Sequence, residues 1–171
     1  MTDDTSQTYR WKFNHVSIRV SDLDKSLFFY EVVLGMKRMT LLPFDDLTIV
    51  LLGYVADSDG EALLAREGVL ELVHSKHSKP YATNAIRHPE LGLAKLCFAV
   101  PNLEACMTRI KEYNVHIVKE PGSIEGEEEI AKALGASLSN HVICSRKLHE
   151  SLQAVGFVED PDGYLLELVQ F

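Results

Sequence analysis

From Phe13 to Val20 apolar and polar positions alternate, with Val16, Ile18 and Val20 on one face and His15, Ser17 and Arg19 on the other. This is the period of a strand with one covered face. Asp22 then stands where a helix N-cap belongs, and Leu23, Leu27, Tyr30 and Leu34 recur at helical spacing until Gly35 ends the run. Met36 to Leu42, Leu47 to Gly53 and Val69 to Ser75 follow as three strand candidates. They are separated by Pro43 with Asp45 and Asp46, and by a polar stretch from Ala56 to Gly60. The first half reads β-α-β-β-β.

The second half begins in the same order. Ala94 to Val100 is an apolar strand, Asn102 is an N-cap, and Leu103, Cys106, Ile110 and Tyr113 run down one helical face. At an offset of 80 residues His15 falls on Lys95, Val20 on Val100, Asp22 on Asn102, Leu23 on Leu103 and Asp24 on Glu104. Near the end of each half the tetrapeptide Leu-Glu-Leu-Val recurs, at Leu70 to Val73 and Leu166 to Val169, at an offset of 96. The halves are one module written twice.

The larger second offset predicts extra residues in the second module, within Pro121 to Glu150. They include an acidic helical run, Glu127 to Leu134, then Ser137 to Asn140, then a short apolar stretch, His141 to Cys144. A connection of this length suits a lid or wall over a site, an oligomer contact or a mobile excursion. Asp160-Pro161-Asp162-Gly163 is a type I turn that sets the register of a closing strand, Tyr164 to Phe171, with Glu167 on the face of Leu165 and Val169. The expected organisation is a flexible tail over 1–12, a first module over 13–80, a linker over 81–93 and a second module over 94–171 with its insertion at about 121–150. The fold class is α+β, two paired β-α-β-β-β modules forming a cupped mixed sheet.

If the two copies pair about a pseudo-twofold axis, equivalent residues face one another. His15 then meets Lys95 and Glu71 meets Glu167, each on a strand whose opposite face is apolar. Four ionisable groups on an inner face are costly unless paired or liganded, which makes them the candidate site.

Composition narrows the chemistry. With 25 acidic against 17 basic residues among 171, the formal charge of -8 lacks the basic surface that nucleic acid or anionic membranes require. No apolar run approaches the roughly 20 residues of a membrane helix, and the polar start, Met1 to Tyr9, carries no signal-peptide pattern. A cytoplasmic location is expected. Cys97, Cys106 and Cys144 are an odd number without Cys-x-x-Cys spacing, which fits a reducing compartment. Cys106 reads as a small core residue on its helix, and His77, His88 and His116 read as surface residues.

Asn14-His15 with Arg19, Ser26 to Tyr30, Leu34-Gly35-Met36, Leu70-Glu71-Leu72 with His74, Ala99-Val100-Pro101 and Asp160 to Tyr164 with Glu167 together resemble the vicinal oxygen chelate superfamily, and within it glyoxalase I. The resemblance covers nearly the whole chain outside the tail and the insertion. It implies paired modules around a divalent metal (Zn, Ni, Fe or Mn), carried here onto His15, Glu71 and Glu167, with Lys95 in the fourth ligand position. An ammonium has no lone pair to give. Held about 4 Å from a dication it would be repelled by roughly 8 kcal/mol at an effective dielectric near 20. A metal-free ion-pair network is therefore the alternative to a three-ligand metal site.

The resemblance implies an enzyme of lyase or isomerase type that moves a proton on a small, oxygen-rich substrate. Glu167 or Glu71 would be the general base, Lys95 the stabiliser of a developing enolate or phenolate, and Arg19, Ser17 and Cys97 substrate-binding residues. Arg19 matches a family arginine that binds a glutathione carboxylate. Leu91 and Ser75 stand where glyoxalase I has a basic and an amide residue, so lactoylglutathione itself is not the expected substrate. Two other readings share the fold: a non-catalytic binding protein that sequesters a small molecule, and an extradiol-type dioxygenase recruiting His74, His141 or His149 as an iron ligand. A homodimer is expected, without nucleic-acid or membrane partners.

Overall fold

The alternation around Val16, Ile18 and Val20 becomes strand β1, His15–Arg19, with Ile18 and Val20 buried and His15, Ser17 and Arg19 exposed. The structure, a computed structural model, describes residues 11–54, 60, 62–77 and 93–171. The chain divides into two compact units, Met1–Lys79 and Pro80–Phe171, with one copy of the module in each. Leu91, His88, nearly all of the 81–93 linker and the first ten residues lie outside the described residues.

In the first unit Asp22 caps helix α1, Leu23–Leu27, by accepting from the Lys25 amide at 3.1 Å. The helix continues as a π-helical segment, Phe28–Val33, in which the Leu34 amide reaches back five residues to the Phe29 carbonyl. Gly35, at a left-handed φ of 76°, ends it. Strands β2, Lys37–Pro43, β3, Leu47–Gly53, and β4, Val69–Ser75, complete the module. The sheet order is β1-β4-β3-β2, parallel between β1 and β4 and antiparallel elsewhere. Val50, Leu52, Leu70 and Leu72 bury one face of this sheet.

The second unit repeats the plan. Strand β5, Leu96–Val100, leads into helix α2, Leu103–Glu112, which Asn102 caps through the Ala105 amide. Strand β6, Ile117–Lys119, follows. The insertion contains helix α3, Glu127–Ala133, a hairpin of β7, Leu138–Ser139, and β8, Val142–Ile143, and helix α4, Arg146–Gln153. Strands β9, Gly156–Glu159, and β10, Leu165–Gln170, close the module in a sheet ordered β5-β10-β9-β6. The Asp160 turn forms as read, with the Gly163 amide on the Asp160 carbonyl at 3.0 Å.

Register proves the repeat at residue level. Val16 pairs with Leu70, Ser17 with Glu71 and Ile18 with Leu72, while Leu96 pairs with Leu166, Cys97 with Glu167 and Phe98 with Leu168. These are the same pairings under the two offsets.

The faces of the second sheet are covered differently. Leu168 stands opposite Gly156, where an added Cβ would lie 2.8 Å from the Met107 sulfur, so α2 covers the Leu166 and Leu168 face. Leu165 and Phe157, on the opposite face with Glu167, join Ile130, Ala133, Leu152 and Val155 in one buried cluster, with Val169 packed against it. The insertion therefore packs on the Glu167 face of its own sheet. It also runs further than expected, since α4 extends beyond Glu150. Among the described residues no helix is long and apolar enough to cross a membrane.

Candidate active site

In the first unit, strand alternation puts His15, Ser17 and Arg19 on the same face as Glu71. The His15 Nε2 lies 3.8 Å from Glu71 Oε2. Asn14 orients the ring. Its amide nitrogen donates to the carbonyls of Leu63 at 3.0 Å and Arg66 at 2.7 Å, so its oxygen is left to accept from His15 Nδ1 at 2.7 Å. With Nδ1 as the donor, the neutral ring carries its lone pair on Nε2, towards the carboxylate. Two lone-pair atoms facing each other at this distance call for a proton or a cation between them. His15 and Glu71 thus fit the nitrogen and oxygen donors of a divalent metal, with Asn14 as the supporting hydrogen-bond partner. Periodicity gives Asn14 no such role, and its only signal in the sequence is adjacency to His15.

The second unit is different at the equivalent place. The Lys95 ammonium donates directly to Glu167 Oε2. Both side chains are shielded, at 27% and 17% exposure, so the pair is screened less than a surface ion pair. Cys97, register partner of Glu167, is a free and exposed thiol on the neighbouring strand. Desolvation first, and then Glu167, push its thiol above the usual cysteine range, while Lys95 pulls the other way. A carboxylate engaged by an ammonium that has no lone pair does not form the second half of a metal site. The second unit therefore offers no nitrogen and oxygen donor pair like that of the first.

Arg19 ends β1 beside Val73, exposed on the Glu71 face, and Ser17 pairs with Glu71 itself. The histidines named for an iron site lie elsewhere. Strand alternation puts His74 on the face opposite Glu71, paired with Thr48. His141 and His149 direct Nδ1 to Glu128 at 2.7 Å and Glu127 at 2.8 Å in the insertion. Among the described residues no three His, Cys, Asp or Glu side chains form a group that could hold a metal ion. Of the remaining thiols, Cys106 is only partly buried and Cys144 is exposed, and all three cysteines are free. His77 and His116 are exposed, as expected.

The insertion is anchored by a network that sequence reasoning missed. Glu127, 8% exposed, accepts from His149 Nδ1 and from the Gln153 amide, and Lys119 nearby is fully buried with its ammonium on the Glu120 carbonyl at 3.0 Å. Burial pushes the Lys119 amine below its usual range, against the pull of Glu127.

A family model, the Glyoxalase/Bleomycin resistance protein/Dioxygenase superfamily, matches residues 12–168. The chain belongs to this superfamily. Among individual relatives it is 29% identical to the lactoylglutathione lyase of Pseudomonas aeruginosa, over 95% of this chain and 84% of the relative. It is 30% identical to a probable lactoylglutathione lyase of Synechocystis, over 91% and 92%. Among solved structures it resembles the trypanothione-dependent glyoxalase I of Leishmania major, with TM-score 0.57, 24% identity and coverage of 94% and 86%. It also resembles TnmS3, an antibiotic binding protein from a Streptomyces, with TM-score 0.55, 16% identity and coverage of 94% and 95%. These two likenesses bear on the fold.

Proposed function

We propose that this chain is a glyoxalase-type enzyme of lyase or isomerase character that moves a proton on a small, oxygen-rich organic molecule, with Glu167 carrying the proton. The observation behind this is the Lys95 ammonium on the Glu167 carboxylate, where the family pattern has a metal-ligand pair. A carboxylate beside a lysine ammonium suits abstraction of a proton next to a carbonyl, provided that the ammonium leaves it for the substrate oxygen. Glu167 takes the proton while the ammonium turns to the oxygen on which negative charge develops. Glu71 is the equivalent carboxylate of the first module and the alternative base. Arg19 supplies a cation for a substrate carboxylate, and Ser17 and Cys97 supply small polar contacts on the faces of Glu71 and Glu167. His15 and Glu71 are the residues that would hold a divalent metal, which would polarise a substrate oxygen when bound.

The names of the relatives support a lyase. Leu91 and Ser75 argue against lactoylglutathione as the substrate, because neither offers the charge or amide that would recognise glutathione. The test is hydrogen exchange in deuterated water, followed by proton NMR, on small hydroxyketones and on the hemithioacetal of methylglyoxal with simple thiols. Wild type should exchange the carbon-bound proton, and Glu167→Gln should slow it by about a hundredfold or more. Binding without exchange, equally strong in Glu167→Gln, would instead identify a sequestering protein of the same fold.

A further inference from the structure

The Glu167 face of the second sheet is covered unevenly. Strand alternation and register put Phe157, Leu165, Glu167 and Val169 on this face, together with Cys97 and Ala99 of β5. Over β9 the face is closed, with Phe157 and Leu165 buried beneath the insertion. Over β5 it is open, since Cys97 and Ala99 are both exposed. Glu167 and Val169 lie on β10, the strand between, and both are partly exposed. The edge of the cover therefore runs along β10. Val169, two residues beyond Glu167, packs against the buried cluster there, as Ile143 and Leu148 of the insertion do.

A molecule that brings a carbon-bound proton to Glu167 and an oxygen to Lys95 has its polar end fixed by that pair. What extends from this end finds the β9 side filled and the β5 side open, where Ala99 and Val169 carry no charge and no polar side-chain atom. A hydroxylated or charged chain in that place would give up water without gaining a partner, whereas an alkyl chain gains by leaving water. We infer that the substrate carries an apolar substituent next to its oxygen-rich end, and that this substituent lies over Cys97 and Ala99 against Val169. Val169 is then a specificity-determining residue, held in place by the insertion. This rests on the reading that the substrate meets Lys95 and Glu167, and it adds an apolar end to the substrate class proposed above.

The test applies the deuterium exchange above, with full-length protein, to hydroxymethyl ketones bearing methyl, ethyl, propyl and butyl chains. Exchange is followed at the hydroxymethyl protons, whose acidity hardly changes along the series, and is corrected for exchange in buffer alone. For wild type, kcat/KM should rise by about two- to fourfold per added methylene until the open room is filled. The propyl compound carrying a terminal hydroxyl should lose most of that gain. Val169→Thr keeps the shape but adds a hydroxyl, and Ala99→Asp puts a charge on an exposed position. Each should lower the propyl-to-methyl ratio of kcat/KM severalfold, and a ratio taken on one sample does not depend on how much of the variant is folded. A ratio independent of chain length in wild type, or unmoved by both variants, while the methyl compound exchanges, overturns this inference alone. If wild type exchanges none of the ketones, the reading of Glu167 falls and the apolar substituent falls with it.

Discussion

At the scale of the residue, the charged groups were the easiest to read and their partners the hardest. His15, Glu71 and Glu167 interrupt apolar strands at positions fixed by alternation, so the face each takes on its own sheet follows from a period of two. Which donor each one meets depends on side-chain geometry that alternation leaves open, and Asn14 is the clearest case. Gly126 carried no signal either, lying unremarked before three glutamates. It adopts a φ of 84°, and a Cβ there would come within 2.0 Å of the Val118 carbonyl oxygen. That atom is backbone and cannot move aside cheaply, so both contact and conformation oppose any larger residue. Gly126→Ala should destabilise the protein by about 3 kcal/mol or more in urea unfolding. Stability within about 0.5 kcal/mol of wild type would mean that α3 does not approach β6 as described.

At the scale of the element, legibility followed exposure. Strands covered on one face alternate, and β1, β3 and β4 were found close to their true limits. β9 escaped notice because Gly156, Phe157 and Val158 are all buried, with α2 on one side and the insertion on the other, which erases alternation. α4 escaped because only Leu148 and Leu152 are apolar in its eight residues, although Ser145 caps it through the Leu148 amide.

Besides the packing of Ile143 on the α3 cluster, Glu128 of α3 meets His141 at the tip of the β7-β8 hairpin and Lys132 within its own helix, and these contacts should respond to pH. Lys132 and His141 donate to Glu128 and hold its carboxyl below the usual range, while Glu128 holds the Lys132 amine above its own. A carboxyl depressed by folding stabilises above its unfolded pKa and loses that contribution as pH falls through the folded value. An amine raised by folding stabilises below its unfolded pKa and loses that contribution as pH rises through the folded value. The Glu128–Lys132 pair within α3 is therefore fully present between the ordinary carboxyl and ordinary amine ranges and fails on either side, while the contact from Glu128 to His141 loses its carboxylate only in acid. Amide exchange at Val142 and Ile143 should lose protection in acid before Ile130 does. Simultaneous loss would show that the hairpin is held by packing instead.

At the scale of the whole molecule, the duplication explains both what is conserved between the halves and where they diverge. Identical register around Glu71 and Glu167 shows the same strand pairing in both modules. The first copy retains a nitrogen and oxygen donor pair and an open sheet face. The second has a lysine ammonium where the first has an imidazole, and an insertion packed beside its glutamate. The repeat itself was legible because the Leu-Glu-Leu-Val segments are identical. The wall was not, since its contacts with Leu165 and Phe157 depend on how two separate helices fold back.

We propose that Lys95, paired with Glu167, stands as a cation in the place of a metal ligand. Titration calorimetry of Zn²⁺ and Ni²⁺ into chelator-stripped wild type and Lys95→His measures this directly. Removing the ammonium and restoring an imidazole should tighten metal binding by about tenfold or more. Tight one-to-one binding by wild type that Lys95→His leaves unchanged would contradict it.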